Sequence, residues 1–257
     1  MEFRDKVIVV TGGGTGIGAA TALALAGQGA RLVVNYRASL DEARRTAAAC
    51  ESAGGEAQLV QADVADAAGC AALAAAAMQR WGRIDGLVNS AGTTKFVAHP
   101  DLDGLSADDF DRIMRVNVTG AFLATRACAP ALRDSRAAVV MVSSIAALDG
   151  SGSSIAYAAS KGALNTMTLS LARALAPEVR VNAVCPGFVE TRWLQGGLGD
   201  ERYAQARARY RADSALQQTL TPQDVAATIV YLLGADKLTG QTVRLDGGKG
   251  VGPAPAR

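Results

Sequence analysis

The sequence predicts an α/β fold: a doubly wound, seven-stranded parallel sheet with helices on both faces, in one domain over residues 1–257. Short β-branched apolar runs alternate along the chain with longer stretches rich in alanine and leucine. Apolar runs of this length are typical of strands buried on both faces of a parallel sheet. Their regular alternation with helices indicates right-handed β-α-β units. No linker, repeat or charge block divides the chain, so we expect a single domain.

Each predicted strand is a short apolar run, and each predicted helix is a longer stretch with apolar residues on one face. The strand candidates are 6–11 (KVIVVT), 31–36 (RLVVNY), 57–62 (AQLVQA), 84–89 (IDGLVN), 137–143 (AAVVMVS), 179–184 (VRVNAV) and 241–245 (QTVRL). The helix candidates lie near 16–28, 40–53, 66–81, 106–133, 155–176 and 222–234.

Two segments depart from this alternation. Residues 188–220 follow a Pro-Gly turn. We expect them to form an insertion or lid beside the carboxyl edge of the sheet, where open α/β folds bind ligands. Residues 249–257 are rich in glycine and proline and are expected to form an irregular tail.

Composition argues against several classes of function. The 26 Lys and Arg residues exceed the 24 Asp and Glu residues by only two, so nucleic acid and anionic membranes are not expected partners. Four dispersed cysteines and one histidine do not predict a metal site. No apolar run reaches the roughly 20 residues that span a bilayer, and the N-terminus does not resemble a signal peptide. We therefore expect a cytoplasmic protein from a reducing compartment.

A glycine-rich turn, TGGGTGIG at 11–18, joins the first predicted strand to the first predicted helix. Glycines let the backbone approach a pyrophosphate closely, and the helix N-terminus offers N–H donors. The spacing differs from GxGxxG, and alanine occupies the position of the P-loop lysine. A purely structural turn is the alternative. The candidate cofactor-binding residues of this turn are Gly12, Thr15, Gly16, Ile17 and Gly18.

The end of the second strand bears on the choice of cofactor. A carboxylate at this place in a dinucleotide fold binds the adenosine ribose and repels a 2′-phosphate. The chain instead has Asn35, Tyr36 and Arg37. Arginine pairs well with phosphate, which predicts a preference for NADP(H), with NAD(H) as the alternative cofactor. Arg37 could also be an ordinary solvated loop residue.

The third and fourth strands end in further cofactor-binding candidates. Asp63 and Val64 follow the third strand. The Asp63 carboxylate can accept a hydrogen bond from an adenine amino group or, alternatively, cap the helix that starts near Asp66. The fourth strand ends in Asn-Ser-Ala-Gly at 89–92, where small residues let the backbone lie against a ribose and the asparagine can tie neighbouring strands together. The candidates from this stretch are Asn89, Ala91 and Gly92.

Tyr157 and Lys161 are four residues apart in a predicted helix and therefore lie on one face of it. A free tyrosine titrates near about 10, and a neighbouring lysine lowers that pKa and makes the phenol a usable acid or base. Ser144, at the end of the fifth strand, can polarise a substrate carbonyl. The Tyr/Lys spacing alone occurs by chance in many helices, so its combination with the glycine-rich turn and the serine carries the hypothesis.

Taken in order, these motifs closely resemble the short-chain dehydrogenase/reductase family, over residues 5 to about 248. This family resemblance includes Asn117 in NVTGAFL, Pro186-Gly187 followed by Thr191, and LTGQTVRLDGG at 238–248. The stretches NYRAS, NVTGAFL and CPGFVET look like the subgroup that contains 3-oxoacyl-acyl-carrier-protein reductases and glucose dehydrogenases. One departure is Ser90, where the family commonly has a second asparagine.

The resemblance implies a Rossmann-type fold and a role for each motif. Tyr157 would be the general acid in carbonyl reduction and the base in alcohol oxidation. Lys161 would bind the nicotinamide ribose and lower the tyrosine pKa. Ser144 would position the carbonyl, and Asn117 would hold a water that links Lys161 to solvent. The nicotinamide would be framed by Pro186, Gly187, Val189 and Thr191.

The predicted function is NADP(H)-dependent hydride transfer between nicotinamide and a small carbonyl compound or secondary alcohol. The alternatives are an NAD(P)-dependent sugar or alcohol dehydrogenase and, in another class, a non-catalytic dinucleotide-binding sensor. The mixed lining expected for the pocket favours a modest carbonyl compound over a long unbranched chain. The candidate substrate-pocket residues are Thr94, Phe96, Ser144, Ile145, Phe188, Trp193 and Leu194.

A homo-oligomer is also predicted. The helices near 106–133 and 155–176 carry small apolar residues on several faces, so a second apolar face is left after one face covers the sheet. The family resemblance implies a homotetramer built on these helices and on the C-terminal strand.

Overall fold

A computed structural model describes residues 3–253 of the protein, and the strands of these residues form one parallel sheet. The strands are β1 (Val7–Thr11), β2 (Arg31–Tyr36), β3 (Glu56–Gln61), β4 (Gly86–Asn89), β5 (Ala138–Val142), β6 (Arg180–Pro186) and β7 (Thr242–Leu245). Their order in the sheet is β3-β2-β1-β4-β5-β6-β7. The seven predicted strands and the predicted doubly wound α/β fold are thereby confirmed.

Helices cover both faces of the sheet. They are α1 (Gly16–Ala26), α2 (Leu40–Ser52), α3 (Ala67–Trp81), α4 (Ala107–Met114), α5 (Ala121–Asp134), α6 (Ala146–Asp149), α7 (Ile155–Leu175), α8 (Arg192–Leu198), α9 (Asp200–Asp213) and α10 (Pro222–Gly234). One core contains Leu73, Leu132 and Leu164 from α3, α5 and α7. The other contains Leu25 and Ile229 from α1 and α10. All five residues of β1 are buried, as expected for a strand with helices on either side.

The strand order reverses at β1, which pairs with β2 on one side and with β4 on the other. The connections that leave β1 and β4 therefore diverge to opposite faces and open a crevice at the carboxyl ends of these strands. Ligands of open α/β sheets bind at this kind of switch point.

The helix predicted at 106–133 is divided. A π-helical segment, Arg115–Gly120, lies between α4 and α5. Single π-helical turns inside α-helices frequently occur at functional sites. Asn117 lies in this segment and is buried. Apolar periodicity could not reveal the extra residue in the turn, because the apolar face continues on both sides of it.

The predicted insertion at 188–220 contains α8 and α9, and its ends meet. Val189 and Leu220 form an isolated parallel bridge, and the Glu190 N–H donates to the Leu220 carbonyl at 2.8 Å. The two ends of the inserted segment therefore lie side by side, next to the carboxyl ends of β6 and β7.

The segment after β7 is more regular than expected. Lys249–Val251 forms a 3-10 turn. The Asp246 carboxylate accepts hydrogen bonds from the N–H groups of Gly248 at 2.9 Å and Gly250 at 2.8 Å, which explains why the chain turns here. Residues 254–257 of the predicted tail lie outside the described residues.

No helix within residues 3–253 is both long enough and apolar enough to cross a bilayer. No group of three or more His, Cys, Asp or Glu residues in the same range could hold a metal ion.

Candidate active site

A cavity of about 1240 Å³ opens at the carboxyl edge of the sheet, over the switch point. Its walls come from the glycine-rich turn, the ends of β4 and β5, the first turns of α7 and the start of the 188–220 insertion. The structure thus brings most of the predicted site residues to one place. Those that line the cavity are Gly12, Thr15, Gly16, Ile17, Ala91, Gly92, Phe96, Ser144, Ile145, Tyr157, Lys161, Pro186, Gly187, Phe188, Val189, Thr191, Trp193 and Leu194.

Eight predicted residues do not line this cavity. They are Gly18, Tyr36, Arg37, Asp63, Val64, Asn89, Thr94 and Asn117. Gly18, Asn89 and Asn117 are buried behind its wall. Tyr36, Arg37 and Asp63 lie beyond it, at the ends of β2 and β3.

The glycine-rich turn leaves no space for side chains where it meets its neighbours. Gly12 has a φ of +62°, and a Cβ atom there would lie 2.9 Å from the Ala91 Cα. A Cβ on Gly18 would overlap the Gly12 carbonyl oxygen. In the described part of the chain no side chain caps the N-terminus of α1, so N–H groups of its first turn are left for a ligand. A narrow cradle ending in N–H donors fits the pyrophosphate of a dinucleotide.

Asn35 holds this turn in place, a role that the sequence analysis did not predict. Its side-chain oxygen accepts a hydrogen bond from the Gly12 N–H at 3.1 Å. Its amide nitrogen donates to the Ala62 carbonyl at 3.0 Å and the Val60 carbonyl at 3.3 Å. The buried Asn35 side chain therefore connects the glycine-rich turn to β3.

Thr11 holds the loop after β4 in place. Its hydroxyl accepts hydrogen bonds from the N–H groups of Ser90 at 3.0 Å and Ala91 at 3.1 Å. The small residues of this loop thereby form one wall of the cavity. Ser90, the departure from the family pattern, lines that wall.

Asn89 ties neighbouring elements together, one of the two roles expected for it. Its side-chain nitrogen donates to the Thr125 hydroxyl at 3.0 Å and to the Met141 sulfur at 3.3 Å. These contacts connect β4 with α5 and β5. The side chain is buried beneath the cavity, so its own contacts are to protein groups.

At the end of β2, Arg37 is mostly exposed and faces the end of β3. Its Nη1 lies 3.8 Å from the Asp63 Oδ2. The Asp63 Oδ1 accepts a hydrogen bond from the Ala65 N–H at 2.9 Å. The cap of α3 is Asp66, which accepts from the Gly69 N–H at 3.1 Å. The alternative role of Asp63 as the cap of this helix is therefore wrong.

Ser144, Tyr157 and Lys161 all line the cavity. Ser154 begins α7 by accepting a hydrogen bond from the Tyr157 N–H at 3.3 Å, which fixes the first turn. The buried Lys161 ammonium donates to the Val142 carbonyl at 2.8 Å and lies 5.5 Å from the centre of the Tyr157 ring. Ser144 is hydrogen-bonded to Tyr157.

Burial sets the protonation of this pair. It raises the pKa of Tyr157 to about 12, and the hydrogen bond with Ser144 opposes only part of that shift. Burial also lowers the pKa of Lys161 to about 8. The direction for tyrosine is opposite to the one expected from its lysine neighbour. The reason is geometric: the ammonium is bonded to the Val142 carbonyl and faces the ring, while desolvation of the phenol dominates.

Asn117 is held in place by the loop after β4 and by α7. Its side-chain oxygen accepts from the Thr93 N–H at 2.7 Å. Its nitrogen donates to the Thr93 carbonyl at 3.0 Å and to the Ser160 hydroxyl at 2.9 Å. A Cβ on Gly92 would lie 3.5 Å from the Asn117 Oδ1 and 3.8 Å from the Lys161 Nζ. Asn117 and Lys161 therefore lie on the same side of Gly92.

Aromatic side chains form the substrate side of the cavity. The Trp193 ring centre lies 5.5 Å from that of Phe96 and 6.2 Å from that of Tyr157. A Cβ on Gly197 would overlap the Phe96 ring, so α8 packs directly on this ring. Thr94 does not line the cavity, but its hydroxyl is hydrogen-bonded at 2.8 Å to that of Ser153, which does.

Phe188 lies apart from this aromatic group. Its ring centre is 5.4 Å from that of Tyr203 and 5.7 Å from that of Tyr210, both on α9. It lines the cavity near Gly187 but packs mainly against the inserted helices.

The chain is similar to known proteins over nearly its whole length. Residues 12–249 match the family model described as enoyl-(acyl carrier protein) reductase. The chain is 40% identical to a protein of Streptomyces violaceoruber assigned as ketoacyl reductase 2 of the granaticin polyketide synthase, over 94% of this chain and 95% of that one. It is 36% identical to a 3-oxoacyl-[acyl-carrier-protein] reductase of Synechocystis sp., over 95% and 96% of the two chains.

A solved structure has the same fold over nearly its whole length. The crystal structure of a short-chain dehydrogenase/reductase from Burkholderia xenovorans matches with a TM-score of 0.90 and 39% identity, over 96% of this chain and 99% of that one. With the family model and the relatives, this match identifies the family. The chain belongs to the short-chain dehydrogenase/reductase family of oxidoreductases, which bind a nicotinamide dinucleotide and act on small molecules.

Proposed function

We propose that the protein is an NADP(H)-dependent carbonyl reductase in which Tyr157 is the general acid. The observation that carries this proposal is the convergence of Ser144, Tyr157 and Lys161 in the cavity that also contains the glycine-rich turn. A phenol, a hydroxyl and an ammonium around one point are the groups needed to stabilise and protonate a developing alkoxide.

The residues around the cavity fit a nicotinamide dinucleotide. The N–H groups at the start of α1, with Gly12, Gly16 and Ile17, would hold the pyrophosphate. The segment from Pro186 to Thr191 would frame the nicotinamide, and Asp63 and Val64 would contact the adenine. When bound, the cofactor supplies the hydride in reduction and accepts it in oxidation.

The protein groups handle the proton and the developing charge. Ser144 donates a hydrogen bond to the carbonyl oxygen and orients the substrate. Tyr157, which holds its proton at neutral pH, transfers it to that oxygen as the alkoxide forms. The Lys161 ammonium stabilises the phenolate that remains. A water held by Asn117 connects the lysine to solvent and restores the proton.

The choice of NADP(H) rests on Arg37. Its guanidinium is mostly exposed, and its contact with Asp63 is 3.8 Å long. An exposed ion pair of this length contributes little, so the guanidinium is available to a 2′-phosphate. Neither Asn35 nor Tyr36 at the end of β2 is a carboxylate that would repel that phosphate, and the Asn35 side chain is bonded to the glycine-rich turn.

The substrate is a modest carbonyl compound rather than a long unbranched chain. The aromatic group of Phe96, Tyr157 and Trp193 gives the substrate side flat apolar surfaces close to the phenol. The names of the two relatives, a ketoacyl reductase and a 3-oxoacyl reductase, also favour carbonyl reduction.

The second candidate is the same chemistry run in reverse, as a sugar or secondary-alcohol dehydrogenase. With its pKa raised to about 12, Tyr157 carries its proton at neutral pH, as the general acid of reduction must, whereas alcohol oxidation needs the phenolate. A non-catalytic sensor would have no need for the convergence of Ser144, Tyr157 and Lys161.

The test is a turnover assay with purified protein, followed at the absorbance of the reduced cofactor. NADPH or NADH is combined with a panel of ketones, 3-oxoesters and quinones, and NADP⁺ or NAD⁺ with secondary alcohols and sugars. We expect the greatest kcat/KM for a ketone with NADPH. Faster turnover of alcohols at neutral pH would favour the dehydrogenase, and no turnover of any compound would favour the sensor.

The assembly that we propose is a homotetramer. Phe110, Phe122 and Leu169 are exposed on α4, α5 and α7, the helices for which a second apolar face was predicted. Burial of these side chains against other subunits would remove apolar surface from water. Light scattering should give a mass near four chains, and a mass near one chain would contradict the proposal.

We place the protein in the cytoplasm. The four cysteines are buried and unpaired, which suits a reducing compartment. Fractionation of the source cells, with the protein detected by antibody, tests this location.

A further inference from the structure

We infer that Tyr210, on α9, is a positioning residue for the nicotinamide end of the site: its hydroxyl holds the turn formed by Pro186, Gly187 and Phe188 against the end of β7. The inference rests on the proposed cofactor site. Tyr210 belongs to the inserted segment 188–220. Neither the motifs nor the proposed chemistry gives this residue a function.

The phenol of Tyr210 is buried and lies directly on the turn. Its hydroxyl donates to the Asp246 carbonyl at 2.7 Å. A Cβ on Gly187 would overlap the phenol oxygen, so the hydroxyl occupies the space that any other residue at 187 would need. The Phe188 backbone N–H is also hydrogen-bonded to this phenol.

The other end of the contact is rigid. Asp246 is buried, and both oxygens of its carboxylate accept backbone hydrogen bonds, from Gly248 and Gly250. The Gly187 N–H donates to the Leu245 carbonyl at 2.8 Å. Gly187 is therefore enclosed between the end of β7 and the Tyr210 phenol.

The turn of Pro186, Gly187 and Phe188 lies next to both the proposed nicotinamide site and the segment that contains Ser144. Pro186 and Gly187 line the cavity where the nicotinamide is proposed to bind. The Pro186 carbonyl accepts a hydrogen bond of 3.0 Å from the N–H of Ile145, the residue after Ser144. A shift of the turn would change the position of both groups.

Tyr203 provides a matched control on the same helix. The rings of Tyr203 and Tyr210 both contact Phe188, at 5.4 and 5.7 Å between centres and at similar tilts of 46° and 43°. Of these two tyrosines, only Tyr210 has a hydroxyl that forms a hydrogen bond with another described residue. Removal of the hydroxyl oxygen from each residue in turn therefore separates anchoring of the turn from ring packing.

The experiment compares Tyr210→Phe and Tyr203→Phe by titration calorimetry with two ligands. NADP⁺ contains the nicotinamide, whereas 2′-phospho-ADP-ribose lacks it and keeps the rest of the cofactor. We expect Tyr210→Phe to weaken NADP⁺ binding by about threefold to tenfold, the usual effect of one lost hydrogen bond. Binding of the fragment should be unchanged, and Tyr203→Phe should change neither value.

Equal weakening of both ligands, or no weakening of either, in Tyr210→Phe would overturn the inference. A second variant, Gly187→Ala, perturbs the same contact from the other side and should reproduce the selective loss of NADP⁺ binding, even if Tyr210→Phe folds poorly. If neither variant weakens NADP⁺ binding more than binding of the fragment, the inference is also contradicted. If the wild-type protein binds NAD⁺ and not NADP⁺, the proposed cofactor preference fails instead, and the same comparison is made with NAD⁺ and ADP-ribose.

Discussion

The ammonium nitrogen of Lys161 lies 5.5 Å from the centre of the Tyr157 ring while it donates a hydrogen bond to the Val142 carbonyl at the end of β5. The pair is therefore held together by the strand as well as by the spacing on α7. Because the lysine faces the ring and both groups are desolvated, the phenol stays protonated and the amine titrates close to physiological pH.

The first prediction concerns the pH dependence of reduction. Burial lowers the pKa of Lys161 to about 8, so the ammonium loses its proton as the pH rises through that value. We expect kcat/KM for carbonyl reduction to fall above about pH 8 because the phenolate formed in the reaction is no longer stabilised. Lys161→Arg is the control: its charge persists, so its lower activity should show no such fall. A fall at the same pH in this variant would assign the titration to another group.

The second prediction concerns stability. Below about pH 8, the buried ammonium of Lys161 lowers the free energy of unfolding. This destabilisation diminishes as the pH rises from 8 towards 10.5. The shift corresponds to on the order of 3 kcal/mol. Lys161→Met removes that cost but leaves the Val142 carbonyl without its donor, a loss of about 1–2 kcal/mol. Urea unfolding at pH 7 should therefore show a net gain of roughly 1–2 kcal/mol, which shrinks at pH 10. A variant less stable than wild type at pH 7 would contradict the assignment.

The third prediction concerns cofactor preference. Arg37→Ala should raise the KM for NADPH by about tenfold, the effect of one lost charge-assisted hydrogen bond at an exposed site, and leave the KM for NADH unchanged. Arg44→Ala, an exposed arginine paired with Asp41 on α2, is the matched control and should alter neither value. Equal effects of the two substitutions on NADPH would show that only general charge attraction is involved.

The fourth prediction concerns the glycine-rich turn. A Cβ on Gly18 would overlap the Gly12 carbonyl, so Gly18→Ala should displace the turn and weaken binding of either dinucleotide. Gly162→Ala is the contrasting case, since a Cβ at this position of α7 meets no atom within 4 Å. It should leave cofactor binding intact and stabilise the helix by about 0.5–1 kcal/mol. Unaltered dinucleotide binding in Gly18→Ala would show that the turn adapts.

The sheet could be predicted because its strands are short buried runs separated by helical stretches, a pattern that local sequence contains. The same holds for the Tyr157 and Lys161 pair, which one helix brings together at fixed spacing. The cofactor turn is also local, since β1, the glycines and α1 are consecutive in the chain.

Contacts between distant segments could not be predicted in this way. Asn35 reaches Gly12 and β3, and Tyr210 reaches Asp246, because of how the strands are ordered and how the insertion folds back. Nothing around either residue signals such a partner. The prediction that Lys161 lowers the pKa of Tyr157 was wrong for the same reason. The burial of the phenol and the hydrogen bond from Lys161 to the Val142 carbonyl depend on the tertiary structure.

The central claim is that Tyr157 donates the proton in carbonyl reduction. The most direct test is the rate of NADPH-dependent ketone reduction by Tyr157→Phe, with NADPH binding measured on the same preparation and the exposed Tyr231→Phe as control. We predict that kcat falls by about 10²–10⁴-fold in Tyr157→Phe while NADPH still binds, and that Tyr231→Phe matches wild type. A Tyr157→Phe enzyme that binds NADPH and reduces the ketone at the wild-type rate would contradict the claim.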